Sequence, residues 1–411
     1  MIPAQVPQDI VQVGESLIRF VEREVVPLEQ ENRALLASDR TIFDEHGRFT
    51  DAVQALRKTV RERSAREGFY TMFGPEELGG GGLGPMAAVY LNGLLSSHCG
   101  PGRVLIHPVV IPSPFTNGLS PLLTSLRADV RARYLPALAS GEKTLCFGLS
   151  EPNAGSDVFG MATRAVRDGD HWILNGSKQW ITNGPYADYA MIFAVTDTEK
   201  AAKRSGGVTG FFVDTRSPGF SVVSTIPIMG QLGAEIGILS FDGLRVPDDH
   251  RLGEVDKGLA VAMHGVNIGR LGLSATCIGM ARWALAQAVD YAKIRKTFGQ
   301  PIGDHQAVQI LLADSAADIY GAETMLLDCA AKLERGERAL AELSMVKLRC
   351  TEAANTVFDR CMQVHGGMGL TNELRLEAGY RFTRSMRIPD GTSEIQRRTI
   401  AREMLSRGIT F

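Results

Sequence analysis

The sequence predicts an α+β protein that is mostly α, and two changes in its hydrophobic pattern carry that prediction. From Asp9 to about Leu138 apolar residues recur at three- and four-residue steps, which indicates amphipathic helices. Between about Thr144 and Val246 the apolar runs are short and are separated by Asp-Gly and Asn-Gly turns, which favour strands. After Pro247 the helical period returns and continues almost to the end. We therefore expect three domains, helical over 1–142, β over 143–250 and helical over 251–411.

Individual elements follow from the same patterns. Helices are expected over 51–67, 304–335, 337–363 and 392–406, together with a long buried stripe over 278–292. Strands are expected at 172–174, 189–195, 210–213 and 220–223. The glycines at 79–84 form either a flexible surface turn or a phosphate cradle, but no G-K-[ST] follows them, so they are not a P-loop.

Composition excludes several classes of protein. The 411 residues carry 44 Lys and Arg against 46 Asp and Glu, a net charge of −2, which excludes a strongly basic nucleic-acid binder. With 22% charged and 44% hydrophobic residues the chain is not disordered. The uncharged stretch 104–126 is broken by prolines, and no signal peptide is evident, so we expect a cytoplasmic protein without membrane or nucleic-acid partners.

The cysteines and histidines argue against a disulfide framework and a metal site. Six cysteines lie far apart without a C-x-x-C pair, which is typical of buried, reduced thiols. The eight histidines are dispersed, so no metal site is expected. Neither a G-x-S-x-G nucleophile elbow nor a G-x-G-x-x-G after a strand is present.

Two segments of the β block combine unusual residue types. Residues 149–157, LSEPNAGSD, place glycine and hydroxyl groups where backbone N–H groups could hold an anion, although they could equally form a plain polar turn. Residues 180–184, WITNG, set an indole beside a hydroxyl at the end of a strand. This pair could flank a flat heteroaromatic ring, and the alternative is a half-buried Trp on a sheet surface.

Two further segments lie in the C-terminal block. Residues 295–300, RKTFGQ, followed by His305, suit a pyrophosphate or form a solvated charge run at a helix end. Residues 363–369, QVHGGMG, allow close backbone approach to a ligand. Asp390 stands at a loop-to-helix joint, where its carboxylate can point into a cleft or stabilise the dipole of the last helix.

In this order and spacing these segments resemble the acyl-CoA dehydrogenase family over nearly the whole chain. The segments that carry the resemblance are SEPNAGSD at 150–157, WITN at 180–183, RKTF at 295–298, QVHGG at 363–367 and GTSEIQ at 391–396. The resemblance implies an N-terminal helical domain, a central β-barrel or sandwich domain and a C-terminal four-helix bundle. It also implies FAD bound between the β-domain and the bundle, and a homotetramer or homodimer.

The resemblance further implies a set of cofactor contacts. Phe147, Leu149, Ser150 and Ser156 would line the flavin and its pyrophosphate, with Trp180 beside the isoalloxazine and the Thr182 hydroxyl at N5. Arg295, Thr297, Phe298, Gln363 and Gly367 would reach the adenosine half of FAD in a neighbouring subunit, and His305 belongs to the same cofactor-binding set. Thr392 and Glu394 would contact the cofactor from the C-terminal segment.

The sequence departs from the family at the catalytic base. The position before Gly-Thr-Ser is usually Glu and is Asp390 here, whereas the second family location, just before Arg270, is Gly269. Asp390 is therefore the base, or the usual chemistry is absent. Asp is one methylene shorter than Glu, and a displacement of about 1 Å can cost about a hundredfold in rate. Either the backbone advances at Asp390 or the substrate sits closer.

The substrate side departs as well. Asn267 replaces an Asp that contacts the pantetheine arm in many members, and Gly391 belongs to the same substrate-binding set. Arg270 is assigned to the thioester end of the cleft, or it is a helix salt-bridge partner. The proline-broken stretch 107–122 flanks the acyl chain in the family, and its rigid, bulky content suggests a branched, cyclic or otherwise functionalised acyl group.

The resemblance thus implies an FAD-dependent acyl-CoA dehydrogenase of fatty acid or acyl-CoA catabolism. It would oxidise an acyl-CoA to the 2,3-enoyl-CoA, with Asp390 taking the α-proton, flavin N5 accepting the hydride, and an electron-transfer flavoprotein taking the electrons. One alternative is a flavin oxidase of the nitroalkane type, since relatives of that kind also use Asp. The other is a catalytically silent FAD-binding relative.

Overall fold

The N-terminal part of the chain is helical. The computed structural model describes residues 6–113, 115, 118–229 and 236–409. The helices of this part are α1 (Gln8–Phe20, continued by a π turn at Val21–Val25), α2 (Val26–Glu31), α3 (Asp39–Ile42), α4 (Asp51–Arg66), α5 (Pro85–Cys99) and α6 (Ala128–Ala139). The Thr50 side chain accepts from the Val53 N–H and caps α4. Proline at the first position and Gly100 after the last residue delimit α5.

The central part is a β-sheet. Its strands are β1 (Leu145–Gly148), β2 (Arg164–Asp168), β3 (His171–Thr182), β4 (Tyr189–Val195), β5 (Val208–Asp214), β6 (Phe220–Ile226), β7 (Ile236–Pro247) and β8 (Arg251–Leu252), with the short α7 (Thr198–Ala202) between β4 and β5. The strand order is β6-β7-β3-β2-β4-β5-β8, and β1 pairs with β4 in parallel. Every residue of β4 is buried, because apolar clusters cover both faces of the sheet there.

Long helices form the C-terminal part. They are α8 (Gly258–Ile294), α9 (Gln306–Glu334), α10 (Leu340–His365), α11 (Leu376–Ser385) and α12 (Ser393–Arg407), and a small hairpin of β9 (Lys296–Thr297) and β10 (Gln300–Pro301) follows α8. The predicted boundaries differ by a few residues, because Ile302–Asp304 form a 3-10 turn before α9 and Gly336, at φ 73°, follows its end.

The helical parts share one apolar core, to which residues of α1, α4, α5, α8, α9 and α10 contribute. All six cysteines are free and buried, as the sequence predicts. Among the described residues no helix is long and apolar enough to cross a membrane. The structure therefore has the predicted order of a helical part, a sheet and a second helical part.

Candidate active site

Asp390 lies in a tight turn before α12. Asp390 and Gly391 both adopt left-handed conformations, with φ values of 56° and 93°. The left-handed conformation costs a non-glycine residue about 1–2 kcal/mol, so the surrounding contacts must stabilise this turn. Immediately after it, the Thr392 hydroxyl accepts from the Ile395 N–H and caps α12. We call Pro389–Thr392 the base turn.

Three side chains hold the two carbonyl groups of the base turn. Arg270 Nε donates to the Asp390 carbonyl at 2.8 Å. Gln396 Nε2 donates to the carbonyls of Asp390 and Gly391, at 3.0 and 2.9 Å. Lys347 Nζ donates to the Gly391 carbonyl at 2.9 Å. The donors come from α8, α12 and α10, so three helices fix the conformation of one turn.

The contacts of Arg270 bear on the two interpretations of this residue. Besides the Asp390 carbonyl, its guanidinium binds the Asn267 side-chain oxygen through Nη1 at 3.1 Å. Within the described residues it forms no ion pair with a carboxylate at salt-bridge distance, so the helix salt-bridge interpretation finds no partner there. Asn267 and Gly391, both predicted to bind substrate, lie beside Arg270 and thus at the base turn.

The Asp390 carboxylate points toward α8. A Cβ atom added to Gly269 would lie 3.3 Å from Asp390 Oδ2. Burial raises the pKa of Asp390 to about 6, while the charges of Lys347 and Arg270 oppose that rise. A carboxylate with this pKa is largely ionised at neutral pH and is more basic than a solvated Asp.

An aromatic ring packs on the same face of α8. A Cβ atom at Gly269 would come within 2.3 Å of Phe115, and one at Gly265 within 3.1 Å, so the ring requires glycine at Gly269. The Phe115 ring also contacts Phe147, with ring centroids 5.1 Å apart. Phe115 therefore lies between Phe147 of β1 and Gly269, the position of α8 that the Asp390 carboxylate also faces. Phe115 belongs to the stretch 107–122, of which positions 114, 116 and 117 lie outside the described residues.

The β-domain residues assigned to the flavin form a second group. The Ser150 carbonyl accepts from the Gln179 N–H at 3.0 Å, which places Ser150 beside the end of β3. Trp180 has a left-handed φ of 65° and is 53% exposed, and Thr182, the last residue of β3, is half-buried. The irregular backbone at Trp180 thus presents a large flat ring at the surface. Ser156 is exposed, whereas Leu149 is buried.

The residues assigned to the adenosine half lie together at the far end of α8. Phe298 is 96% exposed at a φ of 51°, and its ring meets that of His305 edge-on at 6.0 Å. The His305 Nε2 lies 3.4 Å from the Thr297 hydroxyl. His365 stacks on Tyr291 with centroids 4.5 Å apart, which brings the end of α10 to the end of α8. The exposed Arg295, Gln363 and Gly367 are therefore at the same end of the bundle.

The base turn and the group around Arg295 lie far apart along α8. Arg270 and Arg295 are separated by 25 residues, and a helix rises about 1.5 Å per residue, so about 37 Å lies between them. The structure brings Asp390, Gly391, Arg270 and Asn267 together, and Phe147 is linked to this group through Phe115. It does not bring the Arg295 group to the base turn within one chain, and the prediction that this group serves a neighbouring subunit stays a prediction.

Comparisons with known proteins identify the family. Models of the acyl-CoA dehydrogenase N-terminal, middle and C-terminal domains match residues 8–142, 146–244 and 256–405. The chain is 35% identical over 85% of its length to the caffeyl-CoA reductase-Etf complex subunit CarC of Acetobacterium woodii, covering 90% of that protein. It is 36% identical over 82% of its length to the human mitochondrial short-chain specific acyl-CoA dehydrogenase, covering 80% of it.

A solved structure agrees with these matches. The butyryl-CoA dehydrogenase of Megasphaera elsdenii superposes with a TM-score of 0.81 and 26% identity, over 98% of this chain and 99% of that one. The chain therefore belongs to the acyl-CoA dehydrogenase family. Members of this family are FAD-dependent oxidoreductases that act on CH–CH bonds.

The residues present fit FAD. The exposed indole of Trp180 offers a flat apolar surface to a flat ring, and the Thr182 hydroxyl lies two residues further along. At the other end, the exposed Arg295 forms no ion pair within the described residues, so its guanidinium is available to an anionic group. A Cβ added at Gly367 would meet no atom of the described residues within 4 Å, which leaves backbone open to a ligand.

Sequence reasoning missed four residues that shape the site: Lys178, Lys347, Gln396 and Phe115. The two lysines are fully buried, although lysine is typically an exposed residue. One signal was available for Lys347, which interrupts an apolar stripe formed by Leu343, Val346 and Cys350 on α10.

Thr392 and Glu394, which the resemblance assigns to the cofactor, lie at the start of α12. Thr392 is the cap of this helix, and Glu394 is exposed in its first turn.

Proposed function

We propose that the chain oxidises the Cα–Cβ bond of an acyl-CoA thioester to the 2,3-enoyl-CoA, with Asp390 as the base. The observation that carries this proposal is the carboxylate of Asp390, which is fixed by the base turn and aimed across Gly269. No other carboxylate is available from α8 at that point, because both Gly265 and Gly269 lack side chains. The α-proton of a thioester is a weak acid, so a positioned base of raised pKa suits its removal.

The same turn offers a second catalytic group. The backbone N–H of Asp390 donates to no acceptor within the described residues and is available to the thioester carbonyl oxygen. Charge develops on that oxygen when the α-proton leaves, and a fixed N–H donor stabilises it. Arg270 holds the carbonyl of the same residue, so it positions both the carboxylate and this donor.

FAD, when bound, supplies the two-electron acceptor for the hydride that leaves the β-carbon. The residues that would hold FAD are Phe147, Leu149, Ser150, Ser156, Trp180 and Thr182 in one chain. Arg295, Thr297, Phe298, His305, Gln363 and Gly367 would hold it from a neighbouring copy in a homotetramer or homodimer. The electrons would pass to an electron-transfer flavoprotein, a partner that the name of the Acetobacterium woodii relative supports for that protein.

The acyl group is proposed to be branched, cyclic or otherwise functionalised. The Phe115 ring packs on α8 at Gly265 and Gly269, beside the base, and it contacts the Phe147 ring with centroids 5.1 Å apart. A rigid aromatic ring beside the base presents an apolar surface on which a flat acyl group can pack in an offset or edge-on arrangement.

One observation favours the reverse reaction, in which an enoyl-CoA is reduced. The Acetobacterium woodii relative is named as a subunit of a caffeyl-CoA reductase-Etf complex, and reduction is the reverse of the dehydrogenation proposed above. In that direction a protonated Asp390 would return a proton to the α-carbon of an enoyl-CoA. A carboxyl group with a pKa of about 6 can serve both directions near neutral pH.

The substrate and the direction can be tested with one panel. Anaerobic, FAD-loaded enzyme is mixed with straight, branched, cyclic and arylpropanoyl-CoA thioesters and, separately, with nitroalkanes. We expect thioesters to bleach the flavin absorbance and the reduced enzyme to be reoxidised by the matching enoyl-CoA. Bleaching by nitroalkanes alone would support the oxidase, and a flavin that no compound bleaches would support the silent relative.

The base is tested by Asp390→Asn. We expect flavin reduction by the fastest thioester to slow by about 10²–10⁴-fold, because the amide cannot accept the α-proton. Asp390→Glu is the matched control, since it keeps a carboxylate and should retain most of the rate that Asn loses. Near-full turnover in Asp390→Asn, with FAD content unchanged, would contradict the assignment.

A further inference from the structure

Lys347 is a buried cation that the proposed reaction does not use. It lies on α10 at 0% exposure, and its Nζ donates to the Gly391 carbonyl. Burying an ammonium group is expensive, and an apolar residue of similar volume is often the more stable choice. A lysine at this position therefore calls for an explanation beyond packing.

The charged and titratable groups around Lys347 come from three neighbouring elements. From α8 it faces the Arg270 guanidinium and the Cys277 thiol. From the base turn it faces the Asp390 carboxylate, and from α12 the exposed Glu394. Within the described residues no carboxylate lies within salt-bridge distance of Nζ, so the positive charge acts on its surroundings without a direct partner.

Of these groups Asp390 is the one whose geometry depends on Lys347. The lysine holds the Gly391 carbonyl, and Gly391 is the second of the two left-handed residues that aim the carboxylate. A Cβ at Gly391 would come within 2.7 Å of Gln396 Nε2 and 3.2 Å of Arg270 Nη2, so the turn is closely packed by its donors. Movement at Gly391 would redirect the preceding carboxylate.

We propose that Lys347 is a positioning residue for the base, which fixes the Gly391 carbonyl and places a positive charge behind the Asp390 carboxylate. The inference rests on the proposed function for its consequence in catalysis. Arg270 acts from the α8 side and Lys347 from the α10 side, so the base turn lies between two cations.

The electrostatic consequence has a definite sign. Burial raises the pKa of Asp390, and Lys347 is the larger of the two charges that oppose this rise. Burial in turn lowers the pKa of Lys347 to about 8, and the Asp390 carboxylate opposes that shift. Removing the ammonium charge therefore raises the pKa of Asp390 above about 6, so a larger fraction of the Asp390 carboxyl is protonated at neutral pH.

The experiment compares Lys347→Met with Lys347→Arg in FAD-loaded enzyme. Titration of the Asp390 carboxyl is followed by infrared difference spectroscopy, with Asp390→Asn as the blank. Flavin reduction is then measured from pH 5.5 to 8.5. We expect Lys347→Met to move the titration midpoint up by about one pH unit or more, so that the rate falls about tenfold at the acidic end. Lys347→Arg should keep the midpoint near that of the parent enzyme.

Two further variants make the result decisive. Lys347→Gln keeps an N–H donor for Gly391 without the charge, and it replaces Lys347→Met if that variant does not fold. Lys332→Met, at a lysine that packs against α10 through Glu342, is the control and should leave the midpoint unchanged.

The outcomes separate the two proposals. An unchanged Asp390 midpoint in Lys347→Met, or in Lys347→Gln where that variant replaces it, would overturn the role of Lys347. A shifted midpoint together with full turnover of Asp390→Asn would support the position of Lys347 and refute Asp390 as the base. A uniform loss of rate without a shift would indicate a structural role alone, and it would also overturn the proposal.

Discussion

Two fully buried lysines each hold a loop of the candidate site, and they differ in whether a carboxylate neutralises their charge. In the β-domain Lys178 donates to the Leu149 carbonyl at 3.1 Å and to Glu151 Oε1 at 2.7 Å. In the bundle Lys347 donates to the Gly391 carbonyl and binds no carboxylate among the residues that the structure describes. Both lysines therefore fix a backbone carbonyl of a site loop, but in that part of the chain Lys178 alone of the two has a counter-ion in contact.

Glu151, the counter-ion of Lys178, has further hydrogen-bond donors around it. Its carboxylate also accepts from the backbone N–H groups of Ala162 and Thr163. Burial would raise the pKa of Glu151, but the charge and hydrogen bond of Lys178, together with the hydrogen bonds from Thr163 and Ala162, outweigh it and the pKa is lowered. Burial lowers the pKa of Lys178 to about 8. Lys178, whose charge is neutralised by Glu151, therefore stabilises the loop over 149–163. The charge of Lys347 has no carboxylate in contact among the described residues, so it acts on the nearby Asp390 carboxyl.

The largest expected effect is on the neutralised pair. Lys178→Met leaves the Glu151 charge buried without its cation, and we expect a loss of about 3–5 kcal/mol in the free energy of unfolding, measured with urea. The double variant Lys178→Met/Glu151→Gln should recover part of that loss. Lys347→Met, which strands no contacting carboxylate, should lose clearly less. Equal losses in the two single variants would remove the distinction between the lysines.

A smaller effect is expected opposite the base turn. Gly269→Ala places a methyl group within 2.3 Å of the Phe115 ring, so the ring or the helix must move. We expect a loss of about 1–3 kcal/mol in unfolding free energy. Gly272→Ala is the matched control on α8, because its nearest atom would lie at 3.8 Å. If both variants unfold alike, Phe115 does not pack on Gly269 and the base region is more open than the β-domain loop.

The smallest expected effect is at the cap of α12. Thr392→Ala removes the hydroxyl that accepts from Ile395, at a cost of about 1 kcal/mol in unfolding free energy, and Thr392→Ser should preserve the cap. The base turn adjoins this cap, so the flavin-reduction rate should fall only a few-fold. A loss of rate as large as that of Asp390→Asn would mean that the cap, more than the lysine and arginine, orients the base.

Much of the fold could be predicted because it depends on local patterns. The apolar stripe over 278–292 has the period of a buried helix, the short apolar run Tyr189–Val195 has the length of a buried strand, and both elements are present. The order of helices, sheet and helices follows from them. The base turn was placed correctly at a loop-to-helix joint, since Thr392 and Gly391 are local signals of a helix start.

The contacts that hold the site could not be predicted in the same way. Lys347 lies 44 residues from Gly391 in sequence, and Lys178 lies 27 from Glu151. Neither pair has a fixed spacing that a sequence motif could reveal. The Phe115 ring packs where α8 has glycine instead of a larger residue, at positions 265 and 269. The sequence alone does not show that Phe115 faces these glycines, so it could not reveal why they are needed.

The length of α8 has a consequence for how this chain can vary. The helix carries Arg270 near the base turn and delivers the chain to the hairpin at Lys296. One inserted residue between them would turn the distal end by about 100° and advance it by about 1.5 Å, while Arg270 stayed in place. Arg270 could not follow this movement without losing its contact with the base turn, and the hairpin at Lys296 could not stay in place while the end of α8 moved. Insertions and deletions should therefore be excluded from this stretch, while substitutions on its exposed face are accepted.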